Sequence, residues 1–346
     1  MEISSPAVSN YFSAISSWTS VTFGPSLGPP VALLVSLVAF FIAVALIFSI
    51  ASYLMGWMER KVIARAQSRR GPTYVGKFGI LQNFADLIKL VSKEWITPTL
   101  ADKPLFSLVL PVVVASMILL FTFIPLTPSF LGINTTLGLF AIFVVISFYP
   151  LLLFFAGWTS GNKFASISAQ RSIVMMVSYE IPLFLVIVAV SMLSGGFGMV
   201  NIVNSQSSFW FAVKMPIGFL VFFIVMLAEL ERTPFDLREA DNELVAGWLT
   251  DVSPPYYALA LLLDYMRLCL GSLLITVIFL GGWLGPSFLP PFVWTMIKLV
   301  VVGLVIILVR VTVFRMRVDR MLRSGWMYLI PLSVFNLLLT FIIFVR

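Results

Sequence analysis

The sequence predicts an all-α, polytopic membrane protein with eight transmembrane helices and one short interfacial helix. Of the 346 residues, 60% are hydrophobic and 11% are charged, whereas soluble domains have about 45–50% and about 25%. The mean hydropathy is +1.05, and the apolar runs reach about 20 residues, the length that spans a bilayer. A soluble enzyme is excluded, because so few charges would leave apolar surface exposed almost everywhere.

Eight long stretches that are almost free of charge mark the predicted transmembrane helices. In chain order they are 31–57, 105–126, 136–158, 172–193, 209–229, 256–283, 291–313 and 326–345. Residues 1–30 precede them, are rich in Ser and Pro, and contain no Lys or Arg. Because a signal peptide begins with a basic region, this segment is predicted to be an extracytoplasmic N-terminal segment.

The distribution of Lys and Arg predicts the orientation in the membrane. Of the 22 basic residues, 18 fall in alternate loops, and the loops between them contain none. The basic loops are 58–104, 159–171, 230–255 and 310–325. Because basic residues accumulate in cytoplasmic loops, we expect these four loops inside and both termini outside. Residues 31–346 then form a single multi-pass domain in the cell (plasma) membrane.

The first basic loop contains the predicted interfacial helix. Its apolar residues recur at helical spacing, while Asp86, Lys89 and Lys93 occupy another face. The apolar positions are Phe78, Leu81, Phe84 or Ala85, Ile88 and Val91. Such a helix can lie in the membrane interface. It serves either as an anchor alone or as the frame of a lateral opening for a lipidic substrate.

The chain is poor in the residues that bind redox cofactors. It has no His and a single Cys, Cys269, whereas iron–sulfur, zinc and haem sites use several Cys or His ligands. It also lacks the glycine-rich phosphate-binding patterns GxxxxGK[ST] and GxGxxG. No metal, flavin or nucleotide cofactor is therefore expected in this chain, and Cys269 is expected to be a small packing residue.

Acidic residues are concentrated near one membrane boundary. Seven of the 15 lie in 23 residues, namely Glu229, Glu231, Asp236, Glu239, Asp241, Glu243 and Asp251. A short helix from Arg238 to Trp248 is predicted, with the acidic side chains on one face and the apolar ones on another. Like charges at this spacing raise carboxyl pKa values. The cluster is either a solvated acidic face or a proton-handling group, and its position at the boundary favours the second.

Two further acidic residues lie inside predicted spans. Glu180 is about 13 Å along the helix from Arg171 at 1.5 Å per residue, and an ionisable group at that depth is costly and usually functional. Pro182 follows and frees the carbonyl of Ser178, so a proton relay is predicted, with a neutral structural carboxyl as the alternative. Asp264 lies three residues before Arg267, and this pair fits a structural role as well as a functional one.

Four segments of the chain share a pattern with a known family. They are Glu59 to Glu94, Gly157 to Glu180, Arg232 to Gly247, and Arg315 to Trp326. In this order, these segments resemble the cytoplasmic loops of the H-type membrane subunit of respiratory complex I. The sequence departs from the family pattern at Arg238, where Pro is common, at Asp264, where Glu is usual, and at Val252, which replaces a hydroxyl-bearing residue.

The resemblance implies a function and partners. The family forms the membrane half of a quinone-binding chamber and couples quinone reduction to proton translocation. Iron–sulfur and quinone-module subunits bind its cytoplasmic loops, antiporter-like and small membrane subunits lie beside it, and iron–sulfur clusters and flavin or deazaflavin belong to partners. Quinone is then the substrate, membrane lipid surrounds the chain, and no nucleic acid is involved.

The resemblance also assigns site residues. The proton path would consist of Glu180, Glu229, Glu231, Asp236, Glu239, Glu243 and Asp264. The quinone chamber would be lined by Glu59, Arg60, Asp86, Lys89, Arg315 and Arg317. Two alternatives remain open: the matching subunit of a membrane-bound hydrogenase or of a ferredoxin- or deazaflavin-dependent complex, and a stand-alone ion transporter. The intact run from Arg232 to Leu237 favours the quinone-reducing complex.

Overall fold

The computed structural model describes residues 28–128, 132–238 and 241–345, and all regular structure in these ranges is helical. In chain order the helices are α1 (Gly28–Ala66), α2 (Gln82–Val91), α3 (Lys103–Phe123), α4 (Gly138–Trp158), α5 (Lys163–Ser194), α6 (Met199–Asn204), α7 (Phe211–Lys214), α8 (Pro216–Glu229), α9 (Asp241–Leu244), α10 (Pro254–Phe279), α11 (Pro291–Thr312), α12 (Val318–Ser324) and α13 (Ile330–Thr340). The all-α prediction is confirmed. Residues 1–27 of the predicted extracytoplasmic segment lie outside the described residues.

Seven helical stretches in the described part of the chain are long and apolar enough to cross a membrane. They are Pro30–Ala66, Lys103–Phe123, Gly138–Trp158, Lys163–Ser194, Pro254–Phe279, Pro291–Thr312 and Val318–Phe344. The predicted fifth span, 209–229, corresponds to α7 and α8, which are separated at Met215. Pro216 disfavours the helical conformation in the residue before it. The polytopic fold is confirmed, and the number of eight spans stays a prediction.

The chain divides into two compact units, Met1–Ser49 and Ile50–Arg346. The boundary falls within the continuous helix α1, whose described residues before it include many exposed apolar side chains. The second unit contains every predicted site residue. The domain bounds predicted from the sequence remain predictions.

Helix α10 forms the centre of the second unit. Its most apolar stretch is 83% buried, and the helix packs on α2, α3, α8 and α11. A helix that is apolar on all sides is expected to be buried in this way. Cys269 has no exposed surface, in agreement with its expected packing role. Because α10 contacts so many elements, polar groups on it can meet groups from several parts of the sequence.

The helix predicted in the first basic loop is present as α2, but it begins at Gln82, after the predicted positions Phe78 and Leu81. Its interfacial position stays a prediction. Its apolar residues Phe84, Ile88 and Val91 are exposed, Ile88 by 68%. On the opposite face, the buried side chain of Asn83 donates a 2.9 Å hydrogen bond to the carbonyl of Tyr53 in α1. An uncovered apolar face on a helix that is anchored through its polar face suits a position in the membrane interface.

Helix α5 continues through Pro182, which leaves the carbonyl of Ser178 without its intrahelical donor. Gly325 begins a π-helical turn between α12 and α13 and lies against this carbonyl. A β-carbon at residue 325 would lie 2.6 Å from the carbonyl oxygen of Ser178. The close approach of these two segments therefore requires glycine.

A buried lysine closes the opposite end of the helix bundle. The ammonium of Lys298 donates to the carbonyls of Leu280, Gly282 and Leu284 at 2.7, 3.0 and 2.6 Å. Because an ammonium group has three donors, these bonds satisfy it fully. The cation also balances carbonyls at the C-terminal end of α10, so its role is structural.

Candidate functional site

Ion pairs join distant segments at the end of the bundle where the basic loops lie. The carboxylate of Glu59, at the end of α1, binds Arg232 at 2.7 Å and also binds Arg310 of α11. Its side chain is only 4% exposed. The loop after α8 is held further by Thr233, whose hydroxyl donates to the carbonyl of Arg310 at 2.8 Å. This first ion-pair centre, the Glu59 centre, therefore fastens α1, the loop 230–240 after α8 (the acidic loop) and α11 together.

A second centre surrounds Glu231. Its carboxylate binds Arg238 and lies 2.9 Å from Arg267 of α10. Arg267 also donates to the backbone carbonyl of Glu229 and lies 3.8 Å from the carboxylate of Asp264. The predicted pairing of Asp264 with Arg267 is confirmed, but Glu231 is the closer partner of this arginine. This second centre, the Glu231 centre, is more deeply buried than the first.

Two small cavities adjoin these centres. One is lined by Leu230, Glu231, Arg232, Thr233, Asp236, Arg238, Asp264 and Arg310. The other is lined by Pro150, Met175, Met176, Tyr179, Ala228, Glu229 and Glu231. Each cavity has room for about one water molecule. Glu231 lines both cavities. The polar groups of each cavity therefore lie near the carboxylate of Glu231.

Electrostatic interactions link the acidic residues of α5, α8 and the following loop in a series, called here the acidic row. Glu229 interacts electrostatically with both Glu180 and Glu231, and Asp236 interacts with Glu231. Burial raises the pKa of Asp236 above its ordinary value, with Arg310 opposing and Glu231 reinforcing this shift. The Asp236 carboxyl is therefore protonated at a higher pH than an exposed one.

Next to Glu180, Tyr179 ties α5 to the last helices. Its hydroxyl lies 3.3 Å from the hydroxyl of Ser324 and donates to the carbonyl of Met321 at 3.5 Å. The ring packs edge-on against Phe235 of the acidic loop. A displacement of the acidic loop can therefore shift both α5 and α12 through the side chain of Tyr179.

Glu243 lies at the exposed edge of the site. Its carboxylate accepts a 2.7 Å hydrogen bond from Arg171, which lowers the pKa of Glu243. Arg315 lies 3.6 Å from the same carboxylate, and Arg317 contributes at longer range. This pairing joins α5 with the loop between α11 and α12.

The helix predicted from Arg238 to Trp248 is shorter than expected. Among the described residues of this segment, the α-helix α9 ends before Val245, which adopts a left-handed backbone conformation with φ of 64°, and a 3₁₀ turn follows at Gly247–Leu249. The apolar face is nevertheless buried, since Leu237, Leu244 and Trp248 are at most 4% exposed. Glu239 lies outside the described residues, so its predicted place in the proton path is not tested.

Residues assigned to the quinone chamber are only partly brought together. Arg60 binds Asp86 of α2 at 2.5 Å and donates to the hydroxyl of Tyr265 at 3.1 Å. Glu59 precedes Arg60 and belongs to the first ion-pair centre. The side chain of Lys89 is exposed and makes no ion pair with the described residues. Glu59, Arg60 and Asp86 thus belong to neighbouring contacts. Arg315 and Arg317 lie near Glu243 instead, and Lys89 makes no such contact with the described residues.

Sequence reasoning missed the aromatic residues that complete the Glu231 centre. The guanidinium carbon of Arg267 lies 4.3 Å from the centroid of the Tyr149 ring, and that of Arg238 lies 5.0 Å from the Trp248 ring. Both rings are 2% exposed. The one signal in the sequence was Arg267 itself, a charge within an apolar helix that requires buried partners.

We expect Gly56→Ala to weaken the contacts of Arg60. A β-carbon at residue 56 would lie 2.6 Å from the Tyr265 ring, so the ring would move and release its hydroxyl from Arg60. Overpacking of this kind costs about 1–3 kcal/mol. Thermal denaturation of the assembled protein measures the loss. Gly196→Ala is the control, because no atom lies within 4 Å of that added carbon; equal stability of the two variants would contradict the packing.

Comparisons with known proteins point to one family. The family model described as NADH dehydrogenase matches residues 37–341. The chain is 41% identical over 284 residues to the H subunit of the NADH-quinone oxidoreductase of Dehalococcoides mccartyi strain 195, an alignment that covers 82% of this chain and 80% of the relative. It is 40% identical over 313 residues to an H subunit of the NADH-quinone oxidoreductase of Syntrophobacter fumaroxidans, covering 86% and 92%.

Proposed function

Because the chain belongs to the NADH dehydrogenase family of NADH-quinone oxidoreductase H subunits, we propose that it forms part of a quinone chamber and couples quinone reduction to proton translocation. It is a multi-pass membrane subunit of a complex I-type enzyme. The observation that supports the coupling role is the row of carboxylates from Glu180 through Glu229 and Glu231 to Asp236.

The proposed chamber lies on the basic-loop side. Glu59, Arg60 and Asp86 are held there by ion pairs between α1, α2 and the acidic loop. The exposed apolar face of α2 lies beside them in the sequence and offers a lipid-facing entrance for a hydrophobic quinone. Arg315, Arg317 and Lys89 would add positive charge, which stabilises a quinone that has gained electrons.

Electrons would come from partner subunits. The chain has no His and one Cys, and no group of metal-binding side chains occurs among the described residues. We propose that iron–sulfur subunits bind the basic loops, with flavin or deazaflavin in further partners. The basic loops would then be cytoplasmic and the termini outside. Antiporter-like membrane subunits would receive the coupling signal from the acidic row.

The coupling can be electrostatic. Two like charges 8 Å apart at an effective dielectric constant of 20 repel by about 2 kcal/mol, which corresponds to about 1.5 pKa units at one group. A charge that appears on the quinone can thus change the protonation of a nearby carboxyl group. Because neighbouring carboxylates in the row interact, the resulting change in electrostatic potential can reach Glu180 inside α5.

Glu180→Gln is expected to reduce proton translocation more than quinone reduction in the assembled complex. The amide keeps the size of the side chain but cannot bind and release a proton, so the row is interrupted at its membrane end. The measurement compares the rates of quinone reduction and of vesicle acidification. If both rates equal those of the wild-type complex, Glu180 is not part of the path.

The companions of the chain test the proposed assembly. We would capture the chain by a tag from native membranes in mild detergent and identify stoichiometric partners by mass spectrometry. Iron–sulfur quinone-module subunits together with antiporter-like subunits are expected. A nickel-site hydrogenase subunit would instead assign the chain to hydrogen chemistry, and recovery of the chain alone would point to a stand-alone transporter.

A further inference from the structure

The Glu231 centre has an arrangement that differs from the rest of the acidic row. Glu231 lies between two arginines, and each arginine lies on the face of a buried aromatic ring. The order is Tyr149, Arg267, Glu231, Arg238 and Trp248. The four elements that provide these residues are α4, α10, the loop after α8 and the segment after α9. Folding therefore assembles the whole stack from distant parts of the chain.

The rings of Tyr149 and Trp248 contact the two arginines through their aromatic faces and not through their polar groups. The hydroxyl of Tyr149 and the indole N–H of Trp248 are buried, and neither makes a hydrogen bond with the described residues. Cations are attracted to the faces of Trp and Tyr, most strongly where water is excluded. The side chains of Arg238 and Arg267 are 1% and 3% exposed, so the rings take the place of water around them.

The backbone supports the same fixed arrangement. Glu231 adopts a left-handed conformation with φ of 51°, which a residue with a β-carbon rarely adopts unless its surroundings impose it. This conformation directs the side chain of Glu231 from the loop toward both arginines.

Charged groups from α8, α10, α11 and the loop after α8 surround Glu231, and the titratable hydroxyls of Tyr149 and Tyr179 belong to residues beside it. The groups in direct contact are Arg238 and Arg267, and those that interact at longer range or share its cavities are Glu229, Asp236, Asp264, Arg232 and Arg310. Four of the seven are arginines, and the two closest are arginines. Opposite charges in contact favour the ionised carboxylate, whereas the three acids are farther away.

We propose that Tyr149 and Trp248 are positioning residues that hold two arginines on Glu231, and that Glu231 is a fixed negative charge which does not carry protons. Protons then move through Glu229 and Glu180, and Glu231 sets the potential that they experience. This inference rests on the proposed function for its meaning, but the ionisation of Glu231 is a property of the chain and can be measured independently of pumping.

The test uses the intact complex and infrared difference spectra across the pH range of activity. The spectra report the carbonyl stretch of protonated carboxyl groups. Tyr149→Phe keeps the ring and is expected to reproduce the wild-type titrating signal. Tyr149→Leu removes the ring and releases Arg267, so an additional titrating carboxyl signal is expected. That signal is expected to disappear when Glu231→Gln is added to Tyr149→Leu.

Two results would overturn the proposal. One is a Tyr149→Leu complex whose titrating signal equals that of Tyr149→Phe. The other is the loss of a wild-type titrating signal in Glu231→Gln alone, which would make Glu231 a proton carrier. If the wild-type complex did not pump protons, the proposed function would fail, while these spectra would still decide whether Glu231 is fixed.

Discussion

Glu229→Gln is expected to lower proton translocation by on the order of 100-fold. This is the lower end of the effect expected when a positioned proton-transfer group is removed. Glu229 ends α8, lines a cavity together with Glu231, and interacts with Glu180. The amide has the same shape but cannot exchange a proton, so the row would lose the carboxylate that interacts with both Glu180 and Glu231. Acidification of vesicles that contain the assembled complex measures the effect.

The control for Glu229→Gln is Glu94→Gln. Glu94 is exposed and lies in the first basic loop, after α2 and away from the acidic row. Its substitution makes the same chemical change outside the row and is expected to leave the ratio of protons translocated to quinone reduced as in wild type, whatever contacts this loop makes with partner subunits. If Glu229→Gln keeps the same ratio as Glu94→Gln, the carboxylate row is not the path.

Glu59→Gln is expected to reduce the amount of assembled complex strongly. Its carboxylate binds two arginines from distant segments, and breaking a buried pair by removing one partner costs about 3–5 kcal/mol. This loss is a large part of the roughly 5–15 kcal/mol that stabilises a typical domain. Native gel electrophoresis of solubilised membranes measures the assembled fraction.

Two further variants separate charge from position at Glu59. Glu59→Asp keeps the negative charge on a shorter side chain and should restore part of the assembly. Asp86→Asn removes a pair whose side chains are 31% and 28% exposed, and such pairs contribute about 0–1 kcal/mol. If Asp86→Asn reduces assembly as much as Glu59→Gln, burial is not the source of the effect.

Hydropathy predicted most of the fold, because a bilayer demands long apolar helices whatever their partners. The same reasoning did not find the break at Met215, where the local effect of Pro216 divides an apolar run that has the length of a span. It also did not find the end of α9 at Val245, since a left-handed backbone at a branched residue is imposed by tertiary contacts.

The candidate site was predicted as a set of residue types and not as an arrangement. Spacing along a helix revealed the pair of Asp264 and Arg267. It could not reveal the contact of Glu59 with Arg310, which are 251 residues apart, nor the aromatic partners of the buried arginines. Contacts between elements depend on how the helices pack, and a single sequence contains no direct record of that packing.

In the proposed function, quinone reduction in the assembled complex drives protons across the membrane. The most direct measurement is to reconstitute the captured complex in sealed vesicles with a pH-sensitive dye and to supply its electron donor and a soluble quinone. We expect acidification that starts with quinone reduction and collapses when a protonophore is added. Quinone reduction at full rate without acidification would contradict the account.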